Sequence, residues 1–160
     1  MKIFGIDPGF KATGYGCINF DERSVTLMET GTIEPKQNDL LQNRIRKIYM
    51  ILDSLIEEYK PQILVLEKLY AHYKHPVTAS KLGHVRGVIC LLCAQKNIIL
   101  VEHSVKRIRK ALVGNGNATK VQTRKIVANM LKIDEEKLTL DASDALALAL
   151  GYVRMQSGKL

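Results

Sequence analysis

The chain has 160 residues, 46% apolar and 25% charged, which predicts one packed domain over residues 1–160 and excludes a disordered, fibrous or disulfide-rich protein. Its net charge of +8 points to a polyanionic partner. No apolar run approaches bilayer-spanning length, the N-terminus does not read as a signal peptide, and three cysteines without framework spacing (Cys17, Cys90, Cys93) predict a reducing, cytoplasmic setting away from membranes.

Residues 2–7 read as a strand that is apolar on both faces and therefore central. Asp7-Pro8-Gly9 stops it, since proline lacks a donor and glycine allows a tight turn. Residues 13–20 and 24–34 read as two further strands around an Asp21-Glu22-Arg23 turn, an antiparallel meander. Over 39–59 the apolar residues Leu41, Ile45, Ile48, Leu52, Leu55 and Ile56 recur at helical spacing. Asn38 or Asp39 can cap that helix, and Pro61 stops it. Residues 62–67 form a fourth, continuously apolar strand, followed by a polar, aromatic loop from Lys68 to His75. A long helix from about Val77 to Lys96 leads to a fifth strand at 97–102. Helical crossovers on both sides of strand four predict parallel pairing there. A short basic helix covers 104–112, and Gly114-Asn115-Gly116-Asn117 forms a loop. Thr119 caps a basic helix to about Leu131, and a last helix runs from near Asp141 to about Met155. The elements predict an α/β fold with a five-stranded mixed sheet flanked by helices.

Four carboxylates stand where apolar runs stop or start: Asp7, Glu67, Asp141 and Asp144. A carboxylate at the rim of a core is costly to desolvate unless something neutralises it. Asp7 and Glu67 end strands whose carboxyl ends are where parallel sheets gather functional groups. If the two strands are neighbours, about 4.8 Å apart, the two acids can share one ion. Asp141 and Asp144 are three residues apart and share a helix face that can close over the same place. Each also has a plainer reading. Asp7 can serve the Pro-Gly turn, Glu67 can be a first loop residue, and Asp141 and Asp144 can be a cap and a first-turn acid. The coincidence of all four favours a metal site. All-oxygen donors suit Mg²⁺ or Mn²⁺, and a pair of ions is the usual device for phosphodiester hydrolysis.

No acidic residue occurs between Glu102 and Asp134, while Lys106, Arg107, Arg109, Lys110, Lys120, Arg124, Lys125 and Lys132 all do. A one-sign segment of that length is better explained by a phosphate backbone than by solubility alone. Other signals carry less. Cys90 and Cys93 lie in an apolar helix without a second pair, which favours core packing. His72 and His75 lack matching ligands. Gly83 and Gly87, four apart on a helix, permit close approach of another backbone, inside the molecule or between two copies.

Gly5-Ile6-Asp7-Pro8-Gly9 with Thr13-Gly14-Tyr15-Gly16 resembles the start of the RuvC Holliday-junction resolvases. So do Glu67, Lys81-Leu82-Gly83 with Arg86-Gly87-Val88, Val113-Gly114 with Lys120, and Asp141-Ala142-Ser143-Asp144-Ala145-Leu146-Ala147. The resemblance runs in register over nearly the whole chain. It implies an RNase H-like fold, a homodimer, and paired Mg²⁺-dependent nicking of a four-way DNA junction in recombination and repair. By the same resemblance Asp7, Glu67, Asp141 and Asp144 are the catalytic acids, expected to hold two Mg²⁺ ions, with Mn²⁺ as a substitute. Tyr70 stacks on opened bases, and Arg109 and Lys120 contact phosphate, with Lys106, Arg107, Lys110 and Arg124 as further DNA contacts. A branch-migration motor is the implied partner. The segment His72-Tyr73-Lys74-His75-Pro76 departs from the commoner family version. Other readings from the residues are an RNase H-like nuclease on RNA–DNA hybrids or linear DNA, a kinase-like ATPase domain and a non-cleaving junction binder.

Overall fold

Alternation along the first strand, β1 (Lys2–Asp7), decides how the molecule is layered. Ile3 belongs to one hydrophobic cluster, and Phe4 and Ile6 belong to another on the opposite face. The computed structural model describes residues 1–68 and 76–157. Within them β1 is followed by β2 (Thr13–Asp21), β3 (Ser24–Ile33) and α1 (Leu41–Tyr59), then by β4 (Ile63–Glu67), α2 (Pro76–Gln95) and β5 (Ile99–His103). The remaining helices are α3 (Val105–Val113), α4 (Lys120–Leu131) and α5 (Leu140–Ser157), with a single 3-10 turn at Glu135–Lys137 that the sequence does not announce.

The strands form one five-stranded sheet in the order β3-β2-β1-β4-β5. The meander β1-β2-β3 is antiparallel, and β1-β4 and β4-β5 are parallel. This is the mixed sheet predicted from the crossovers. Helices α3, α4 and α5 cover the Ile3 face with Ile63, Val65 and Ile18. Helices α1 and α2 cover the other face, where Ile48, Leu52, Val85, Ile89 and Leu92 meet Phe4, Leu64 and Leu66.

Helix α5 lies unusually close to the sheet. A Cβ on Gly5 would sit 1.9 Å from the Ala145 carbonyl oxygen, and one on Gly14 would sit 2.0 Å from that of Asp141. Only glycine lets the backbones meet in this way. The alanines at 142, 145 and 149 are buried in the contact.

Several expectations are corrected in detail. Neither Asn38 nor Asp39 caps α1, which starts after Leu40 with no side-chain cap. The Asp39 carboxylate instead accepts from Leu40 N–H and Asn43 Nδ2, both at 2.8 Å. Strand β5 starts later than predicted because Asn97 takes a positive φ of 54° and Ile98 N–H turns back to the Cys93 carbonyl, ending α2. Cys93 is buried as expected, but Cys90 is exposed. Helix α2, with 20 residues, is by length and composition alone apolar enough to cross a membrane, contrary to the sequence expectation. Lys81, His84 and Arg86 interrupt it, and its Val85, Ile89, Leu92 and Cys93 pack in the core.

The turn after Asp7 is held from below by Arg44, a buried charge on α1. Its guanidinium lies 3.7 Å from the Phe10 ring centroid and donates to the carbonyls of Phe10 and Gln37. Thr13 Oγ1 donates to the Gly9 carbonyl at 2.8 Å and closes the same turn.

Candidate active site

The alternation that sorts Ile3 from Phe4 also places Asp7 on the α5 side of the sheet, two residues beyond Gly5. In β4, Ile63 and Val65 face the same cluster as Ile3, so Glu67 follows them to that side. Ile6 pairs with Leu66, so the two acids leave the carboxyl ends of adjacent parallel strands side by side. The first turn of α5, held against Gly14, brings in Asp144. A narrow cleft is lined by Asp7, Glu67 and Asp144 together with Arg109, Ile108 and Thr123.

Asp141 does not line this cleft. It stands close enough to act on the Lys120 ammonium, and its carbonyl packs on Gly14. Nor is Asp141 the cap of α5. Thr139 Oγ1 accepts from Ala142 N–H at 3.2 Å, and the Thr139 carbonyl accepts from Ser143 N–H. With Thr139 at the cap position, neither Asp141 nor Asp144 is needed there.

Burial, then the neighbouring charges of Glu67 and Asp144, push the Asp7 carboxyl up to about 8. A hydrogen bond shared with Glu67 adds to the effect, and Lys120 opposes it. Burial works against the Lys120 ammonium too, but its pairing with Asp144 and the fields of Asp7 and Asp141 outweigh it and raise its pKa. Lys120 and Asp144 form an ion pair.

A stability consequence follows from the raised Asp7 pKa. Between about pH 4 and 8 the folded protein keeps a proton that the unfolded chain releases. This contribution to stability is fully present below the unfolded value and is lost as pH rises through 8. The metal-free Asp7→Asn variant should therefore gain melting temperature over the parent progressively from pH 5 to 8. Millimolar Mg²⁺ should raise the parent's melting temperature more at pH 8 than at pH 5. Differential scanning calorimetry with and without chelator checks both, and a pH-independent difference would contradict the buried, repelling acid.

The basic residues divide into groups. Lys106, Arg107 and Lys110 are exposed on α3. Arg109 turns into the cleft, where its Nε is buried without a hydrogen-bond partner among the described residues. Arg124 is engaged by Glu135 at 3.2 Å, so it is not a freely presented cation. Tyr70 and the segment His72–His75 lie outside the described residues. Nothing in the sequence singles out His103, which sits opposite Glu67 in the β4–β5 register and is held below its ordinary pKa by burial and then by Arg107. Arg86 stands in the Arg86-Gly87-Val88 motif but carries no role from the sequence; in the structure it donates to the Glu67 carbonyl.

Hard carboxylate oxygens crowded until one acid keeps its proton near neutrality fit a hard divalent cation, which would relieve their repulsion. Among the described residues no three acidic, histidine or cysteine side chains are gathered closely enough to ligate one ion as they stand. The Lys120 ammonium, drawn onto Asp144, supplies the counter-charge instead.

A mixed five-stranded sheet with an acidic cleft at the ends of its central parallel strands, closed by a C-terminal helix, defines an RNase H-like nuclease architecture. The profile of the family described as crossover junction endodeoxyribonuclease RuvC matches residues 3–152. A crossover junction endodeoxyribonuclease RuvC from Chloroherpeton thalassium is 41% identical over 150 residues, covering 94% of this chain and 80% of that protein. Among solved structures, Thermus thermophilus RuvC in complex with Holliday junction substrate superposes with a TM-score of 0.86 at 19% identity, covering 98% of each chain. The yeast mitochondrial Holliday junction resolvase gives 0.70 at 16% identity, covering 97% of this chain and 78% of that one. The chain belongs to the RuvC family, and it is a metal-dependent nuclease.

Proposed function

We propose that this protein resolves four-way DNA junctions in recombination and repair by paired, symmetric hydrolysis of two strands, as a homodimer using Mg²⁺. The observation that carries the reading is the cleft itself: Asp7, Glu67 and Asp144 converge beside Arg109 and Lys120. Family membership supplies the substrate.

In this reading Asp7 and Glu67 would hold the ions, with Asp144 and Asp141 completing the shell from α5. Bound there, two Mg²⁺ ions, or Mn²⁺ in their place, would lower the pKa of the attacking water and stabilise the leaving 3′ oxygen. Asp7 gives up its proton as the site loads. Lys120 leaves Asp144 and turns to a backbone phosphate, for which its place in the first turn of α4 is suited. Arg109 offers its spare Nε donor to the scissile phosphate. Lys106, Arg107 and Lys110 follow the duplex beyond the cleft, Arg124 joins them when it parts from Glu135, and Tyr70 stacks at the opened crossover. We place the reaction in the cytoplasm, on junctions presented by a branch-migration motor.

The dimer reading is supported by α2. Among the described residues a Cβ on Gly83 or Gly87 would meet nothing within 4 Å, so no described element packs closely on these glycines. With exposed Leu91 and Cys90 they form a smooth outer stripe that a second copy could approach closely. Leu91→Arg should shift the protein to monomer and abolish paired nicking. Sedimentation equilibrium measures the first effect, and an unchanged dimer would place the interface elsewhere.

The deciding experiment is cleavage of a synthetic four-way junction, mapped at nucleotide resolution beside RNA–DNA hybrid and linear duplex controls. The expected result is symmetric nicks in opposing strands with ligatable 5′-phosphates. Preference for hybrid or linear DNA, or binding without any cut, would overturn the proposal.

A further inference from the structure

We infer that Arg86 is a positioning residue for Glu67, setting the carboxylate's aim toward the divalent cation from the far side of the sheet; this rests on the nuclease reading above. Arg86 projects from α2, half-buried, with its guanidinium spanning the ends of two strands. Nη1 donates to the Glu67 backbone carbonyl and Nη2 to the Glu102 carboxylate of β5. The end of β4 needs such a support. The β1–β4 ladder stops at Ile6 opposite Leu66, so β1 offers no pairing at Glu67. On the other side β5 still pairs Glu67 with His103, and Lys68 N–H donates to the His103 carbonyl at 2.9 Å. Glu67 is therefore anchored on one edge by β5 and at its carbonyl by Arg86.

The guanidinium suits this place because it is a rigid planar fork that can serve two acceptors on different strands. Its carboxylate partner, Glu102, is more exposed and stands opposite Leu66 in the ladder. Glu102 thus holds the fork in the orientation that reaches the Glu67 carbonyl. Without Arg86 the carbonyl loses a charge-assisted bond, and the last residue of β4 is left anchored by β5 alone. A ligating carboxylate displaced in this way loses affinity for its ion, because orientation from behind the ligand sets how well it binds. Arg86 touches neither DNA nor ion in this arrangement, so junction binding should not depend on it. Helix α2 carries Arg86 beside Gly87, whose outer side is the smooth stripe described above. The same helix thus links the outer stripe to the acidic cleft.

The test compares the full-length parent with Arg86→Gln, Arg86→Lys and Glu102→Gln. Three quantities are measured: the Mg²⁺ concentration for half-maximal junction cleavage, the junction Kd in chelator, and the Mg²⁺-induced rise in melting temperature. Arg86→Gln should need roughly 10-fold or more Mg²⁺ and cleave about 10- to 100-fold more slowly below saturation. Its Mg²⁺-induced melting shift should shrink, while its junction Kd stays within about twofold of the parent by the argument that Arg86 contacts no phosphate. Arg86→Lys, keeping one donor, should recover part of the loss. Glu102→Gln alters only an exposed partner and should show a smaller shift in the same direction, so it decides the matter if Arg86→Gln does not fold. A parental Mg²⁺ requirement in Arg86→Gln, or in Glu102→Gln when that variant must decide, would overturn the inference. A parent that cuts no junction would sink the functional reading instead, and the melting shifts would still judge Arg86.

Discussion

Asp7→Asn should cut four-way junctions roughly a thousandfold more slowly than the parent, since several kcal/mol of transition-state stabilisation depends on the ion it would hold. The substitution keeps the shape of the side chain and removes its charge. The sheet should therefore remain intact, and junction affinity should be nearly unchanged, because the phosphate contacts proposed above lie on α3 and α4. Single-turnover cleavage and gel-shift titration on the same junction separate the two effects. The metal-free variant should also be the more stable protein near pH 8, where the parent's Asp7 resists ionisation because of its burial, Glu67 and Asp144. Loss of activity with gain of stability distinguishes an electrostatic site from a damaged fold. Normal cutting by Asp7→Asn would show that the metal reading of the cleft is wrong.

Gly14→Ala should be nearly as harmful from a position that touches no substrate. The added methyl would lie 2.0 Å from the Asp141 carbonyl oxygen and 2.3 Å from its carbon. Both atoms are backbone, so no rotamer change relieves the clash, and the start of α5 must move away from β2. Overpacking of this kind costs about 3 kcal/mol, or roughly 6–12 °C in melting temperature for a chain of this size. Asp141 and Asp144 would move with the helix, so cleavage should fall even at temperatures where the variant is folded. Gln42→Ala, on the exposed face of α1, is the control, since it removes no packing and favours helix. If both variants melt alike, the contact between α5 and β2 is looser than described.

The strands and their pairing were legible because uninterrupted apolar runs such as Ile63-Leu64-Val65-Leu66 have few other homes than a covered sheet. The crossovers around β4 then fixed its direction. Asp7 and Glu67 were legible for the same reason, as the first charges after such runs. Asp141 and Asp144 were ambiguous, because an acid near a helix start satisfies a capping rule as readily as a metal. Thr139 takes the capping role from both acids, and that is visible only once its hydroxyl is seen on Ala142 N–H. The long-range pairs left no trace in the sequence. Lys120 and Asp144 lie on different helices, and Arg86 reaches Glu67 across 19 residues and Glu102 across 16. No periodicity encodes such meetings. The outward face of α2 was hidden differently: its composition reads as core, and among the described residues only the open space around Gly83 and Gly87 shows which side is uncovered.

The backbone contact between α5 and the glycines of β1 and β2 makes the cleft a mechanism with a stop. Atoms of the main chain already touch, so no fluctuation of the helix can bring the backbone at Asp144 nearer to that at Asp7. Any motion of the helix can only widen the gap. Thermal noise therefore acts in one direction, and the tightest geometry is also the resting one. A site built against such a stop returns to the same dimension after every turnover without needing side chains to find it again.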